Sequence, residues 1–264
     1  MLHQIAEIRR WDLEHLAQPG PDSWEKVDRP SFYRALSAPG LSLIAEIKRQ
    51  APSAGPLRPN ASVRRRARAY ELGGATAISV LTEPRFFAGS FHDLREAAQS
   101  TQLPILCKDF VVDRRQIQWA TRAGASCVLL IAGILPGNSL RAFIQMCREE
   151  GLESLVEVFT AEELDRALDA GAEAIGINSR DLRDFSVRLE RVLELRSRVP
   201  KGILVVAESG VRSTEDLRQI ARAGFDGVLV GTALMRSPKP GTLLRHWREG
   251  LVPCAGEDLR HYTP

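Results

Sequence analysis

The stretch YELGGATAISVLT, residues 70–82, has a pattern that three later stretches repeat: TRAGASCVLLIAG (121–133), LDAGAEAIGINSR (168–180) and ARAGFDGVLVGTA (221–233). In each stretch a helix-like segment ends at glycine, and a short polar step leads into an apolar run of strand length. Glycine suits the residue after a helix because it adopts the left-handed conformation without a Cβ clash. The apolar runs are rich in Val, Ile and Leu, as expected of parallel strands that are covered on both faces.

A further strand is expected inside each interval, because the pattern recurs about every 50 residues, roughly twice the length of one strand–helix unit. The segments LSLIAEIK, LPILCKDF, ESLVEVF and ILVVAES supply these strands. The eight predicted strands cover residues 42–48, 76–81, 104–108, 127–131, 154–158, 174–178, 203–207 and 227–231. Helical segments separate them, and Thr160 and Ser213 are predicted helix N-caps. Eight alternating units predict an α/β fold of the (β/α)8 TIM-barrel type, with an open doubly wound sheet as the alternative.

A single domain over residues 1–264 is expected, because 264 residues of which 44% are hydrophobic suffice for one large core. Residues 1–40 precede the first strand and predict an N-terminal helical extension, with an amphipathic helix in QIAEIRRWDLEHLA and a short helix in PSFYRALS. This extension is expected to cover the bottom of the barrel or to reach over its top. The polar segment 255–264 is predicted to be a flexible tail.

Composition and charge argue against several classes of partner. The net charge of +3 is small, and the basic run from Arg64 to Arg68 lies on a predicted outer helix, where a solvated face is expected rather than a nucleic-acid patch. Four cysteines without a C-x-x-C pair, and five histidines away from strand ends, give no sign of a metal site. Reduced thiols in a cytoplasmic protein are expected. No apolar run approaches the ~18 residues that span a bilayer, so no membrane partner is expected.

Charged side chains collect at the predicted carboxyl ends of the strands, where barrel enzymes place their active sites. Alternation with period 2 puts Glu46 and Lys48 on one face of the first strand. Glu157 lies between two valines that point toward the helices, so its side chain is expected to point into the mouth. Lys108 and Glu208 end two further strands. Because buried charges are costly unless paired, these groups are expected to pair and to shift one another's pKa values, as acid–base catalysis requires. A structural layer of ion pairs is the alternative.

Two loops predict an anion site. Ser209-Gly210 follows the seventh strand and Gly231-Thr232 follows the eighth, which is the usual phosphate position of this fold. Small residues let backbone N–H groups approach an anion closely, and short helix N-termini add favourable partial charge. Each glycine by itself also fits a simple turn.

Six segments, in this order along the chain, resemble signature segments of the indole-3-glycerol-phosphate synthase family: LIAEIKRQAPSAGPLRP, AISVLTEPRFFAGS, LPILCKDFVVD, LVEVFTAEEL, IGINSRDLRDF and VAESGV. The resemblance implies a phosphorylated small molecule as partner and a carboxy-lyase step of tryptophan biosynthesis. In that step 1-(2-carboxyphenylamino)-1-deoxyribulose 5-phosphate closes to indole-3-glycerol phosphate, with loss of carbon dioxide and water. The resemblance implies neither a metal nor an organic cofactor, and a monomer is expected.

The resemblance also implies roles for the matching positions. Lys108 is implied as the general acid at the ketone oxygen and Glu157 as the proton-transfer partner in the dehydration, with Lys48 as a second candidate acid. The other implied catalytic residues are Glu46, Asn178 and Glu208. Implied contacts to the substrate chain and its carboxylate come from Arg180, Ser209 and Ser53. The implied pocket for the aromatic ring consists of Phe87, Phe110, Leu130 and Leu182, and the implied phosphate-binding residues are Gly210, Gly231 and Thr232.

Several positions depart from the family pattern. Ala51 stands where the family usually has a serine that helps to bind phosphate, and Ser179 stands where it usually has asparagine. Cys107 and Phe159 replace the usual arginine and histidine. None of these changes removes a proposed acid or base, so a synthase is the leading interpretation. The alternatives are a diverged paralogue of a specialised indole pathway, an isomerase-like phosphate-binding barrel, and a catalytically silent phosphate-binding barrel.

Overall fold

The computed structural model describes residues 1–15, 24–179 and 189–251, and its centre is a closed barrel of eight parallel strands. The strands are β1 (Ser42–Ile47), β2 (Ala77–Leu81), β3 (Ile105–Lys108), β4 (Cys127–Ile131), β5 (Glu153–Val158), β6 (Ala174–Asn178), β7 (Leu204–Glu208) and β8 (Gly227–Val230). Each strand pairs with the next along the chain, and β8 pairs with β1 through Ser42 and Gly227. The predicted strand bounds differ from these by at most one residue at either end. The TIM-barrel prediction is confirmed, and the open sheet is wrong.

Helices cover the outside of the barrel and both of its ends. Their bounds are α1 (Leu2–His15), α2 (Phe32–Leu36), α3 (Val63–Leu72), α4 (Pro84–Phe87), α5 (Phe91–Ala98), α6 (Arg114–Ala123), α7 (Gly137–Glu149), α8 (Ala161–Asp169), α9 (Leu189–Ser197), α10 (Thr214–Arg222), α11 (Thr232–Arg236) and α12 (Pro240–Leu251). A short antiparallel ladder of Gln50–Ala51 with Gly55–Pro56 follows β1. Over the residues that the structure describes, none of these helices is both long and apolar enough to cross a membrane. The predicted tail, residues 255–264, lies outside the described residues.

Local sequence signals set the helix ends. The Thr160 hydroxyl accepts the Glu163 N–H at the start of α8, and Ser213 forms a reciprocal capping box with Asp216 at the start of α10. Both predicted caps are confirmed. The glycines that follow the helices of the repeated pattern, Gly74, Gly124, Gly171 and Gly224, lie at positive φ, for example Gly171 at 85°, where a Cβ would be strained. Each helix of the pattern therefore stops where the chain turns into the next strand.

The N-terminal extension contacts both ends of the barrel. At the carboxyl ends of the strands, Arg9 of α1 makes two hydrogen bonds to Asp109, the residue after β3. At the amino ends, the Glu153 carboxylate that begins β5 accepts hydrogen bonds from the Ser31 hydroxyl and the Tyr33 N–H at the start of α2. The two expected positions of the extension are therefore both occupied: α1 lies over the top, and α2 covers the bottom.

One arginine of the basic run on α3 is buried, contrary to the expectation of a solvated face. Arg66 is 6% exposed, and its guanidinium donates to the carbonyl oxygens of Leu234 and Ser237 at the end of α11. The other three arginines of the run are exposed, as expected. Arg66 differs because it lies on the helix face that meets α11, whose last carbonyl groups have no partner within their own helix.

The buried pair of Arg9 and Asp109 predicts a large stability cost for the loss of one partner. Neither side chain is exposed, and the Asp109 carboxylate also accepts hydrogen bonds from Thr82 and from the Phe110 N–H. In Arg9→Met this carboxylate stays buried without its counter-charge, so we expect the free energy of unfolding to fall by about 3–5 kcal/mol. Urea denaturation measures the change, with Arg10→Met on the exposed face of α1 as the matched control. Equal midpoints for the two variants would contradict the prediction.

Candidate active site

A cavity of about 800 Å³ opens at the carboxyl ends of the strands, and Leu2 and Ile5 of α1 form part of its wall. Side chains that the sequence assigns to separate strands meet in this one chamber. The predicted site residues that line it are Glu46, Lys48, Ser53, Phe87, Lys108, Phe110, Glu157, Asn178, Glu208, Ser209, Gly210, Gly231 and Thr232. The predicted residues Arg180 and Leu182 lie outside the described residues.

The Lys108 ammonium lies between two carboxylates. Its Nζ is 2.6 Å from Glu208 Oε2 and 3.1 Å from Glu157 Oε2. The side chains of Glu208 and Glu157 are only 1% and 4% exposed, whereas Lys108 keeps 15% of its side-chain surface open. The three residues come from β7, β5 and β3, so the closed barrel is what brings them within hydrogen-bonding distance.

This cluster shifts the proton affinities of its members. Burial by itself lowers the pKa of Lys108, but the carboxylates of Glu208, Glu157 and Glu46 outweigh burial and raise the pKa overall. Burial raises the pKa of Glu208 to about 8; the Lys108 ammonium opposes the rise, and Glu157 adds to it. Two carboxylates beside one ammonium carry excess negative charge in a poorly solvated site, and one bound proton neutralises it. Glu208 therefore keeps a proton to a higher pH than an ordinary carboxyl group does, and Lys108 keeps its charge.

A second lysine–glutamate pair lies at the end of β1. Lys48 Nζ is 2.6 Å from Glu46 Oε1, and the two side chains are 16% and 2% exposed. They share a face because residues two apart on a strand point the same way. Within the described ranges, no group of three or more His, Cys, Asp and Glu side chains could hold a metal ion, and the cavity carboxylates of both pairs contact lysines.

Two phenylalanines form an apolar part of the wall. The ring centroids of Phe87 and Phe110 are 6.0 Å apart, and the ring planes are tilted by 34°. Phe87 ends α4, whose first N–H groups donate to the buried carboxylate of Glu83. This cap fixes the short helix and, with it, the position of the Phe87 ring beside the cavity.

The predicted pocket residue Leu130 needs correction. Leu130 is completely buried and does not line the cavity, whereas its neighbours Leu129 and Ile131 do. Ile131 pairs with Glu157 of β5, and alternation therefore puts the odd-numbered residues of β4 inside the barrel. The signal that identifies Leu129 and Ile131 is their register with a charged neighbour strand, not the composition of β4 itself.

The loops after β7 and β8 both line the cavity, where the sequence predicts an anion site. Ser209 and Gly210 both have positive φ, at 69° and 89°, and this conformation is uncommon for a residue with a side chain. Gly231 is the N-cap of α11 and supplies no side chain to bind its first N–H groups. Arg212 and Arg236 also line the cavity, and sequence analysis misses both. Each lies a few residues after a glycine that is predicted to bind phosphate, and this closeness in sequence is the signal that could have identified them.

One departure from the family pattern lies in the cavity wall, and a second supports a strand that carries a site residue. Ala51 lines the cavity and is 7% exposed. The cavity wall therefore lacks the hydroxyl group that the usual serine of the family would supply. Ser179 is buried, and both its N–H and its hydroxyl donate to the backbone carbonyl of Glu208, at 3.0 and 3.1 Å. Ser179 thereby braces the end of β7, directly under the backbone that carries the Glu208 side chain.

Comparison with known proteins gives one consistent family. Residues 2–246 match the family model described as indole-3-glycerol phosphate synthase. The indole-3-glycerol phosphate synthase of Lacticaseibacillus paracasei is 43% identical over 221 residues, which cover 84% of this chain and 85% of that protein. Indole-3-glycerol phosphate synthase 2 of Streptomyces coelicolor is 48% identical over 214 residues, which cover 81% and 83%. A solved thiamine phosphate pyrophosphorylase from Pyrococcus furiosus has a TM-score of 0.62 over 80% of this chain and 95% of that one; at 22% identity it supports the fold alone.

The raised pKa of Glu208 predicts that the protein loses stability as the pH rises. A carboxyl group whose pKa is raised from 4.5 to about 8 binds its proton more tightly in the folded state. The contribution of this group to the free energy of unfolding is complete below pH 4.5 and is lost as the pH rises through about 8. The free energy of unfolding falls by at most about 1.4 kcal/mol per pH unit over this range. Glu208→Gln is expected to flatten this decline in urea denaturation, with Glu7→Gln on the exposed face of α1 as control. Parallel profiles for wild type and Glu208→Gln would refute it.

Proposed function

Because the chain belongs to the indole-3-glycerol phosphate synthase family, we propose that its reaction is carried out by the lysine–glutamate cluster of the barrel mouth. The chain is a carboxy-lyase of tryptophan biosynthesis, which closes 1-(2-carboxyphenylamino)-1-deoxyribulose 5-phosphate to indole-3-glycerol phosphate. The observation that carries the assignment of residues is the Lys108 ammonium, which contacts two buried carboxylates and still faces the cavity.

The reaction needs protons at defined positions. The ring carbon that bears the carboxylate attacks the ketone carbon, and the ketone oxygen takes up a proton as the new carbon–carbon bond forms. Loss of carbon dioxide then restores the aromatic ring. The former ketone oxygen leaves as water, after a further proton transfer, and a proton lost from the new ring completes the indole. General acid and base groups supply and remove these protons.

Lys108 is the proposed acid at the ketone oxygen. In the free protein the neighbouring carboxylates of Glu208 and Glu157 raise its pKa, so it keeps its proton. A ketone oxygen that takes the place of one carboxylate beside Nζ removes part of that stabilisation and lowers the pKa again. The substrate thereby converts a tightly held proton into one that can be transferred as the bond forms.

The remaining proton transfers are proposed to use the other charged groups. Glu157 is the partner in the dehydration, and its carboxylate lies 3.1 Å from Lys108 Nζ, close enough to exchange a proton with it. Glu46 and Lys48 assist at the sugar hydroxyls and the substrate carboxylate, with Lys48 as the second candidate acid. Asn178 lines the same cavity and is proposed to orient the ring carboxylate together with Arg180.

Substrate binding is proposed to use two further parts of the wall. The aromatic ring is proposed to lie against Phe87, Phe110, Leu129, Ile131 and Leu182. The sugar phosphate is proposed to lie against Ser53, Ser209, Gly210, Gly231 and Thr232, where Arg212 and Arg236 add positive charge. Holding the substrate at both ends folds a flexible molecule so that its reacting carbons meet.

We further propose that the chain is one domain that acts as a cytoplasmic monomer without a nucleic-acid partner. The described cysteines, Cys107, Cys127 and Cys147, are unpaired and buried, which suits a reducing compartment.

The purified protein is expected to convert the carboxyphenylamino-deoxyribulose phosphate to an indole product in the presence of EDTA. The fluorescence of the indole product measures this conversion.

Lys108→Ala is expected to lower kcat by about 10²–10⁴-fold with a smaller change in KM, because Lys108 acts in the transition state. Lys201→Ala, on an exposed turn, is the control. Wild-type kcat in Lys108→Ala would rule out Lys108 as the acid, and no product from wild type at high concentration would overturn the function.

A serine at position 51, as in the usual family pattern, is expected to strengthen binding of the substrate phosphate. A hydrogen bond to a charged oxygen contributes about 1.5–3 kcal/mol, so Ala51→Ser is expected to lower KM by about 10–100-fold with little change in kcat. The inhibition constant of inorganic phosphate should fall in parallel. Ala61→Ser, which lies outside the cavity wall, is the control. An unchanged KM and inhibition constant would mean that residue 51 does not contact the phosphate.

A further inference from the structure

One oxygen of the Glu208 carboxylate accepts no hydrogen bond within the described part of the chain. Oε2 lies 2.6 Å from Lys108 Nζ, but Oε1 is buried and has no donor. A buried carboxylate oxygen without a donor is unfavourable. The position of Oε1 therefore needs a steric cause rather than a polar one.

Oε1 lies over Gly176 of β6, in the space that a side chain would occupy. A Cβ on Gly176 would be 2.3 Å from Glu208 Oε1 and 3.3 Å from Glu208 Cδ. The next atom, Leu155 Cγ, would be 3.5 Å away, which is an ordinary contact distance. Among the described residues, it is therefore the Glu208 carboxylate that excludes a side chain at position 176.

The backbone conformation does not account for this glycine. Gly176 is not among the glycines at positive φ, and it pairs regularly with Glu157 on β5 and with Val206 on β7. A glycine inside a strand is less favourable than alanine, because it loses more conformational freedom on folding. Alanine would therefore be the better residue here if Glu208 were absent.

We propose that Gly176 is a positioning residue for the proton-transfer cluster. Because Gly176 has no side chain, Glu208 Oε1 fits in the space above it, and in this position Glu208 Oε2 contacts Lys108 Nζ. This inference rests on the proposed roles of Lys108 and Glu208, but Gly176 itself does not line the cavity. Gly176 acts on the reaction only through the carboxylate that lies over it.

A related arrangement occurs at the second lysine–glutamate pair, where one oxygen, Glu46 Oε1, both contacts Lys48 and lies over a glycine. A Cβ on Gly231 would be 2.2 Å from Glu46 Oε1, and the φ of Gly231 is −117°, outside the left-handed region. The carboxylates of Glu208 and Glu46, which contact different lysines, thus each lie over a glycine. Because Gly231 is also a proposed phosphate residue, a change at Gly176 is the one that separates positioning from substrate binding.

Gly176→Ala is the direct test. The carboxylate end of Glu208 can move, so we expect the added methyl group to displace it by about 1 Å rather than to unfold the barrel. Misplacement on this scale costs up to about 10²-fold in rate, so kcat is expected to fall by about 10–100-fold, with KM within about threefold of wild type. The urea midpoint at pH 7 is expected not to fall.

A shorter acid at position 208 provides the rescue experiment. Glu208→Asp lowers activity by itself, but it withdraws the carboxylate from the space above Gly176. Adding Gly176→Ala to Glu208→Asp is therefore expected to lower kcat by less than about threefold further, because the two effects share one contact. Gly227→Ala is the matched control, since a Cβ on this β8 glycine would meet nothing nearer than 3.4 Å. Its kcat is expected to equal that of wild type.

A readout without substrate separates this inference from the proposed function. Glu208 faces Lys108 and Glu157, and Glu46 acts on Lys108. Displacing the Glu208 carboxylate changes both the burial that raises its pKa and the Lys108 contact that lowers it. The dependence of stability on pH between 5 and about 8 is therefore expected to differ between Gly176→Ala and wild type. Wild-type protein without synthase activity would overturn the proposed function and leave this measurement intact.

Two outcomes overturn the role of Gly176. One is a Gly176→Ala protein with wild-type kcat and a wild-type dependence of stability on pH. The other is a loss of kcat from Gly176→Ala that is equally large in wild type and in the Glu208→Asp variant, because the loss would then not pass through the carboxylate above the glycine.

Discussion

Closure of the eight parallel strands is the constraint on which the rest of this structure depends. Once β8 pairs with β1, alternate residues of every strand point inward, and the last of these reach one common mouth. Lys108, Glu157 and Glu208 lie far apart in the sequence, yet closure brings both carboxylates within 3.1 Å of the same ammonium. Ionised groups this close are costly where water is scarce. The raised pKa values of Lys108 and Glu208, which acid–base chemistry can use, follow from this crowding.

Crowding also determines where small residues are required. The carboxylates of Glu208 and Glu46 turn one oxygen toward lysine, and the carboxylates also extend over the backbone of a neighbouring strand. Gly176 and Gly231 leave that volume free. Ser179 adds support from the backbone side, through two hydrogen bonds to the Glu208 carbonyl. The protein therefore fixes its acids by shape as much as by charge.

Much of the fold can be predicted from the sequence, because helix ends and buried strands carry local signals. Glycine after the helices of the repeated pattern and the apolar run that follows locate four strands to within one residue, and the apolar segments between them locate the other four. Alternation places Glu46, Lys48 and Glu157 correctly in the cavity. The family resemblance implies Leu130 as a pocket residue, and this is wrong by one position; β4 is wholly apolar and does not itself indicate which of its faces points inward. The expectation that Arg66 is solvated is wrong for a related reason. Its carbonyl partner Leu234 lies 168 residues away, in a contact that only the folded barrel creates. The space above Gly176 is equally invisible in the sequence.

The contact between α1 and the barrel constrains the order in which parts of the chain fold. Arg9 is synthesised well before Asp109, its partner 100 residues further on. Joining chain positions so far apart is entropically unfavourable until other contacts already hold the chain together. On the ribosome, α1 is therefore expected to remain undocked while the strands assemble, and to settle onto the barrel after β3 has neighbours. This helix is thus made early but docks late, and the reaction chamber gains this part of its wall only from that moment.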